Sequence, residues 1–399
     1  MKKSTLLIKN VLHDGKETNI LIEGNVFAST NAPADAQADT VIDGKGLAIL
    51  PPFYNTHTHA AMTLLRGFAD DLPLKTWLED YIWPREATLT SEDIYNGSRL
   101  AIAEMIKSGT VFFSDMYFDI DQTINAVQEF GVRAAIGVTV MDNHPAAVLE
   151  EKINTILKWT DPTGGRIQLT LAPHAIYTVG SERLKKSAAL AKEAGLKLHI
   201  HASETAGEVQ DSIREHGLSP IAYLDSLGVL GENTIIAHGV HVDDNDIRIL
   251  EDKGVTVSHN PCSNMKLGSG LFPYEKYLNS SVRVTMGTDG ASSNNNLDLR
   301  EEAKFACLAA KCQGRPELLP VETAFQWATK NGAEAYGINA GEIKEGKLAD
   351  AVLIDLTNER MRPLHNLISN WIYSADSSCV NTVICDGRII LKDHKLTNN

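Results

Sequence analysis

Eight short apolar segments that alternate with amphipathic stretches constrain the fold of this chain more than any other feature. Each segment is rich in β-branched and aliphatic residues, which predicts a strand, and the stretches between them have helical periodicity. In 91–107, for example, Thr90 or Ser91 can cap the helix, and its apolar stripe ends at Gly109. The predicted strands are 47–57, 110–116, 133–140, 166–173, 196–202, 233–238, 254–259 and 282–288.

Eight strands with helices between them, over roughly 240 residues, are typical of an α/β protein with a (β/α)8 TIM-type barrel. An open doubly wound sheet is the alternative, but no glycine-rich phosphate fingerprint follows the first strand. Short β-rich segments broken by turn residues occupy both ends of the chain. We therefore expect a small β-sandwich domain made of 1–50 plus 345–399, beside a barrel domain made of 51–344.

Charge and composition limit the function classes. The chain has 37 Lys plus Arg against 51 Asp plus Glu, a net charge of −14, which argues against binding nucleic acid or an anionic membrane through bulk charge. No apolar run is long enough to span a membrane, and no apolar signal segment follows Met1, so we expect a cytoplasmic protein. The five cysteines include no C-x-x-C pair, which is typical of free thiols in a reducing compartment.

Histidines gather where the predicted strands end. His57 and His59, one residue apart on a strand, point the same way, and His201 ends the fifth predicted strand while His199 lies one layer deeper, as an interior histidine. Asp289 ends the eighth strand, which neighbours the first in a closed barrel. Three imidazoles and a carboxylate suit Zn²⁺ or Fe²⁺ and leave a position for water. The histidines on or just past predicted strands are His57, His59, His174, His199, His201, His238 and His259.

The chain resembles the amidohydrolase superfamily and, within it, the 5′-methylthioadenosine/S-adenosylhomocysteine deaminases. The resemblance is carried by segments that are spread over nearly the whole chain in the family's order. These segments are 57–59, 65–78, 199–204, 258–267, 287–298, 328–333 and 346–350.

The resemblance implies a metal-dependent aminohydrolase whose ligands are His57, His59, His201 and Asp289. Binuclear relatives carry a carboxylated lysine at the end of the fourth strand, and the segment Ala172-Pro173-His174-Ala175 has none. We therefore expect one divalent metal per chain, zinc in preference to iron, which would lower the pKa of a water molecule.

The resemblance also implies roles around the adenine ring. Glu204 matches the family's proton shuttle, which contacts the substrate and protonates the ring nitrogen next to C6. His238, with Asp289, would orient the attacking water. Trp77 would pack on the substrate, Glu86 would bind ribose hydroxyls, and His174 would lie near the purine and ribose.

The expected reaction is hydrolytic deamination of 5′-methylthioadenosine, S-adenosylhomocysteine or adenosine to the inosine-type product and ammonia. A family arginine that helps recognise the nucleoside has no counterpart in Met141-Asp142-Asn143-His144-Pro145. This departure weakens the expectation of S-adenosylhomocysteine as a substrate more than that of deamination. The expected partner is a small nucleoside, and the resemblance is compatible with a homo-oligomer. Two alternatives remain open: a deaminase or chlorohydrolase of another amino-heterocycle (guanine, a pterin or a triazine), and a non-catalytic binding protein on the same scaffold.

Overall fold

The computed structural model describes residues 4–143, 154–155 and 158–397. The chain begins with five short strands. They are β1 (Thr5–His13), β2 (Lys16–Glu23), β3 (Val26–Ser29), β4 (Thr40–Asp43) and β5 (Leu47–Leu50). The first two form an antiparallel hairpin, and both residues of its turn, Asp14 and Gly15, have positive φ, as hairpin turns of the primed types require.

A parallel sheet of eight strands follows. Its strands are β6 (Phe53–Thr58), β7 (Thr110–Tyr117), β8 (Arg133–Val140), β9 (Ile167–Pro173), β10 (Lys197–Ala202), β11 (Thr234–His238), β12 (Thr256–His259) and β13 (Arg283–Met286). Each strand pairs with its neighbours in the sequence. The first and last strands meet where the N–H of Asp289 donates to the carbonyl of His57 at 3.0 Å. The sheet is a nearly closed barrel, which confirms the predicted fold class.

Helices connect the barrel strands. The helix Ser91–Lys107 begins with a capping box, in which Thr90 and Asp93 each accept a hydrogen bond from the other's backbone N–H. Further α-helices whose bounds lie within the described residues are Leu74–Thr76, Trp83–Glu86, Ile120–Phe130, Ser181–Glu193, Ala206–His216, Pro220–Ser226, Asp244–Lys253, Pro261–Lys266, Tyr274–Leu278, Ala291–Asn294, Leu299–Lys311, Val321–Ala328, Lys330–Ala335 and Leu367–Tyr373. A π-helical turn spans Trp77–Ile82, and 3₁₀ turns span Ala60–Leu65, Glu359–Met361 and Ser377–Cys379.

The last strands return to the sheet formed by the start of the chain. They are β14 (Ala351–Asp355), β15 (Val380–Cys385), β16 (Arg388–Lys392) and β17 (Lys395–Leu396). β14 pairs with β5, so both chain ends share one mostly antiparallel sheet, as expected. Arg133, at the start of β8, ties the two sheets together, because its buried guanidinium pairs with Asp350 and Asp386 at 2.8 Å each.

The predicted single strand 47–57 is wrong: the structure divides it at Pro51-Pro52. β5 joins the sheet of the chain ends, and β6 joins the barrel. A proline has no N–H to donate to a ladder, so two in succession separate the strands.

None of the helices in the described ranges has the length and apolarity needed to cross a bilayer. The five cysteines are free thiols, in agreement with the sequence analysis.

Candidate active site

Four histidine rings meet at the C-terminal end of the barrel. β6 carries His57, with His59 directly after it, while β10 carries His201 and β11 ends at His238. The ring centroid of His57 lies 4.9 Å from that of His59, 4.8 Å from that of His201 and 5.6 Å from that of His238. All strands of a parallel barrel end on the same face, so residues far apart in the sequence converge there.

Backbone carbonyls orient two of these rings. The Nδ1–H of His59 donates to the carbonyl of Met116 at 2.6 Å, and that of His201 donates to the carbonyl of His174 at 2.8 Å. The Nε2 atom of each ring is therefore the unprotonated nitrogen of the neutral side chain. His57 is held differently, because its Nδ1 hydrogen-bonds with Nε2 of the buried His199 at 3.1 Å. His199 is thus an interior residue behind the site, as expected.

Asp289 adds a carboxylate to the histidine cluster. Its Oδ1 lies 3.4 Å from Nε2 of His57 and 3.2 Å from Nε2 of His59. Its Oδ2 accepts hydrogen bonds from the hydroxyls of Ser263 (2.6 Å) and Ser293 (3.1 Å). The two serines therefore hold the carboxylate so that one oxygen faces the imidazoles.

The donor set fits a divalent cation. His57, His59 and Asp289 each offer one ligand atom, and these three atoms lie within 4.8 Å of one another. The same is true of one nitrogen each from His57, His201 and His238. Nε2 of His57 is buried and accepts no hydrogen bond from the described residues. Such a buried nitrogen is costly without a partner, and a metal ion would satisfy it.

The pKa values of these groups favour neutral rings at His57 and His201 and a protonated His59 paired with the Asp289 carboxylate. Burial lowers the pKa of His57 to about 4 and holds that of His201 well below its usual range. Burial also acts on His59, but its hydrogen bond to Asp289 outweighs it and raises the pKa of His59 to about 9. Burial would raise the pKa of the Asp289 carboxyl, but the neighbouring imidazoles hold it well below its usual range. Asp289 thus carries the negative charge of the site, paired with His59 and next to the neutral ring of His57.

Glu204 and His238 face each other beside this cluster. Oε2 of Glu204 lies 3.8 Å from Nε2 of His238, and Oε1 accepts a hydrogen bond from the hydroxyl of Ser269 at 3.2 Å. His238 donates its Nδ1–H to Oδ1 of Asn264 at 2.8 Å, which leaves Nε2 as an acceptor. Burial raises the pKa of Glu204, so this carboxyl keeps its proton to higher pH than an exposed one.

A second carboxyl holds the backbone of Glu204. Glu208, in the first turn of the helix Ala206–His216, accepts the backbone N–H of Ser203 at 3.0 Å and that of Glu204 at 2.7 Å. Burial raises the pKa of Glu208 to about 7. The helix is therefore joined to the end of β10 through this one side chain.

Left-handed backbone conformations occur where three barrel strands end. Ser203 has φ of 53°, His238 of 77° and Asp289 of 58°, although none is glycine. Such residues cost about 1–3 kcal/mol each and cluster at functional sites. All three are buried, so the surrounding contacts impose the conformation.

A cavity lies over the cluster, and its lining includes Trp77 and Glu86 as well as Glu204. Trp77 begins the π-helical turn, a feature frequent at functional sites, and is buried. Glu86 is also buried, and its Oε1 accepts no hydrogen bond from the described residues. Nδ1 of His174 lies 2.9 Å from the hydroxyl of Thr178, and burial lowers the pKa of His174 to about 3.

The structure brings the sequence-predicted site residues together. His57 lies behind the cavity, and the others line it: His59, Trp77, Glu86, His174, His201, Glu204, His238 and Asp289. His259 does not join them, because it stacks on Phe272 at 4.0 Å and hydrogen-bonds with Tyr274. His144 and Pro145, in the segment that lacks the family's arginine, lie outside the described residues.

Sequence reasoning missed four residues that support the site: Ser263, Ser293, Asn264 and Glu208. The first three lie within segments that carry the family resemblance, but nothing in their local pattern shows which side chain they contact. Glu208 offered a weak signal, since an acidic residue three positions after Thr205 completes a helix-start pattern. Its actual partners are the two residues before Thr205.

A parallel barrel with a histidine pair after its first strand and an aspartate after its last, all at the C-terminal face, defines a metal-dependent hydrolase. The chain belongs to the amidohydrolase family, whose model matches residues 48–390. It is a metal-dependent aminohydrolase.

Named relatives are similar over nearly the whole chain. A 5′-deoxyadenosine deaminase of Methanosphaera stadtmanae is 47% identical over 402 residues, which cover 98% of this chain and 95% of the relative. A 5-methylthioadenosine/S-adenosylhomocysteine deaminase of Dictyoglomus turgidum is 45% identical over 401 residues, covering 98% and 94%. The crystal structure of an adenosine deaminase from Xanthomonas campestris with bound zinc is 32% identical and has a TM-score of 0.92, covering 100% of this chain and 95% of that one.

Proposed function

We propose that this chain hydrolyses the C6 amino group of adenosine-type nucleosides, releasing ammonia and the inosine-type product. The candidate substrates are 5′-deoxyadenosine, 5′-methylthioadenosine, S-adenosylhomocysteine and adenosine. The observation that carries the proposal is the convergence of imidazole nitrogens and the Asp289 carboxylate beside the buried pair of Glu204 and His238. The names of the relatives support the nucleoside class.

The proposed ligands are His57, His59, His201 and Asp289, with one divalent ion per chain, zinc in preference to iron. Nitrogen and oxygen donors of this kind suit zinc, and the similar adenosine deaminase was solved with that metal. When bound, the ion supplies a Lewis acid that makes a water molecule acidic enough to react near neutral pH. His238, whose Nε2 is left as an acceptor, would accept a hydrogen bond from the attacking water and orient it toward C6.

Glu204 moves the proton. Burial raises the pKa of Glu204, which favours the acid form that can give a proton to the ring nitrogen next to C6; the resulting carboxylate can take a proton from water and return it to the leaving amine. The oxygen of water forms the new bond to C6, the C6–N bond breaks, and the amine leaves as ammonia with the transferred proton. The remaining hydrogen of the new hydroxyl group returns to Glu204 as the C6=O bond forms. Ser269 keeps one carboxyl oxygen in place, so the other faces the cavity.

The cavity lining offers further groups that would hold the nucleoside. Trp77 offers an apolar ring to the substrate, and His174 lies near the purine and ribose. The free Oε1 of Glu86 would accept hydrogen bonds from ribose hydroxyls, which would satisfy a buried acceptor.

Ammonia release from a substrate panel tests the proposal. The panel contains the four candidate nucleosides, adenine, guanine and a triazine, and bound metal is counted on the same sample. We expect turnover of the nucleosides with about one metal ion per chain. Turnover of free bases alone would contradict the nucleoside assignment and favour another amino-heterocycle, and no turnover in a metal-loaded sample would favour a binding protein.

A further inference from the structure

A larger groove continues from the candidate active-site cavity. The two spaces share Leu78, Trp83, Glu86 and Tyr177 in their linings. From this junction the groove runs to the helix Ala206–His216, which follows the strand that carries His201. A molecule whose reacting end lies at Glu204 can therefore extend past Glu86 into the groove.

The orientation of a bound nucleoside follows from the site and rests on the proposed function. The ring must lie beside Glu204 and His238, and the unsatisfied Oε1 of Glu86 at the junction would accept hydrogen bonds from the ribose. The substituent on the 5′ carbon, on the far side of the ribose from the base, then points into the groove. The groove is thus the part of the site that can distinguish one 5′-substituted adenosine from another.

The inner part of the groove is apolar. Leu74, Leu78, Trp83, Phe118 and Ile176 line it near the junction. Such a surface stabilises a methyl or thioether group and offers nothing to a charged one.

The outer end of the groove is acidic. Asp211 and Glu215 lie one helical turn apart on the exposed face of Ala206–His216. Arg214 pairs with both, at 2.6 Å and 3.3 Å, so a single positive charge stands against two negative ones.

Acidic side chains outnumber basic ones in the described lining. Lys75 lies 4.0 Å from Glu79, and the other carboxyl groups are those of Glu86, Glu208, Asp211 and Glu215. A carboxylate or phosphate at this end would therefore meet an excess of negative charge from the described residues. An ammonium group would find Asp211 and Glu215.

We propose that this groove is a subsite for the 5′ substituent that selects by charge. It accepts uncharged alkylthio groups and groups that end in an ammonium, and it disfavours groups that end in a carboxylate or phosphate. S-adenosylhomocysteine carries both an ammonium and a carboxylate, so it ranks below 5′-methylthioadenosine.

Three 5′-thioethers of adenosine, matched in length and ending in methyl, ammonium or carboxylate, test the proposal. Their kcat/KM values are measured at low ionic strength with the metal-loaded enzyme, and 5′-deoxyadenosine serves as a reference substrate. We expect the carboxylate compound to react about three- to tenfold less efficiently than the ammonium compound, since exposed charge pairs are worth a few tenths to 1 kcal/mol each. Equal values for the two compounds would overturn the proposal.

A double variant identifies the residues responsible. Asp211→Asn with Glu215→Gln leaves Arg214 as the local charge, so we expect the preference for ammonium over carboxylate to vanish or reverse. Glu193→Gln with Asp252→Asn removes the same number of charges from exposed positions that line neither space, and it should keep the preference. An unchanged preference in the first variant would contradict the assignment. If 5′-deoxyadenosine and all three thioethers are inert, the proposed function itself has failed.

Discussion

Replacing Glu204 by glutamine tests the proposed proton transfer. The side chain is buried, with 5% of its surface exposed, and glutamine has nearly the same volume. The glutamine oxygen can still accept the hydrogen bond from Ser269, and its amide can donate to Nε2 of His238, which is unprotonated because Nδ1 donates to Asn264. We therefore expect the variant to fold and to bind metal as the native chain does.

The expected loss lies in kcat. General acid–base transfer contributes about 10²- to 10⁴-fold, which corresponds to about 2.7 to 5.4 kcal/mol of activation free energy. Glutamine cannot take a proton from water or give one to the ring nitrogen, and this interaction is made in the transition state, so kcat should fall more than KM changes.

The assay is steady-state ammonia release from 5′-deoxyadenosine, with metal content and thermal unfolding measured on the same preparation. Glu193→Gln, at an exposed position outside the site, is the matched control and should retain native turnover. If Glu204→Gln turns over within tenfold of the native chain at full metal content, the assigned role of Glu204 is wrong.

Four further predictions concern single contacts of the site and the core. Glu208→Gln should lower kcat and lower the free energy of unfolding by about 1–3 kcal/mol, because an amide has one acceptor oxygen for the two N–H groups that Glu208 holds. Urea unfolding and ammonia release measure these two effects. An unchanged kcat would show that Glu204 does not depend on the hydrogen bonds from Glu208. Glu86→Ala should weaken turnover of nucleosides while sparing any activity on free bases, which separate kinetic measurements would show; an equal loss on both would exclude a ribose contact. Chelation should abolish activity and lower the unfolding temperature, and Zn²⁺ should restore both; a fully active metal-free preparation would refute the ligand set. Burial raises the pKa of Glu302 from 4.5 to about 8, so the folded state keeps a proton that the unfolded chain releases. The free energy of unfolding should therefore fall as pH rises through this window, by up to about 1.4 kcal/mol per pH unit. Glu302→Gln should flatten this part of the pH profile in urea unfolding, and an unchanged slope would show that Glu302 does not hold this proton.

Local pattern was sufficient for most of the fold and for the histidines and the aspartate of the site. Apolar periodicity located the eight barrel strands, although it merged the first with β5, because a strand buried on both faces appears as a short apolar run whatever its partners are. The rule that strands of a parallel barrel end at one face then predicted that His57, His201 and Asp289 lie together. The family resemblance supplied what periodicity cannot, namely the expected roles of Glu204, Trp77 and Glu86.

Only the tertiary structure decided which side chains hold those residues in place. Ser263 bonds with Asp289, 26 positions away, His199 bonds with His57, 142 positions away, and Asn264 accepts a hydrogen bond from His238. Side-chain hydrogen bonds between distant elements depend on how those elements pack, and sequence periodicity does not determine that packing. The break at Pro51-Pro52 is of the same kind: the prolines are local, but the assignment of β5 and β6 to different sheets follows from the partners each strand finds.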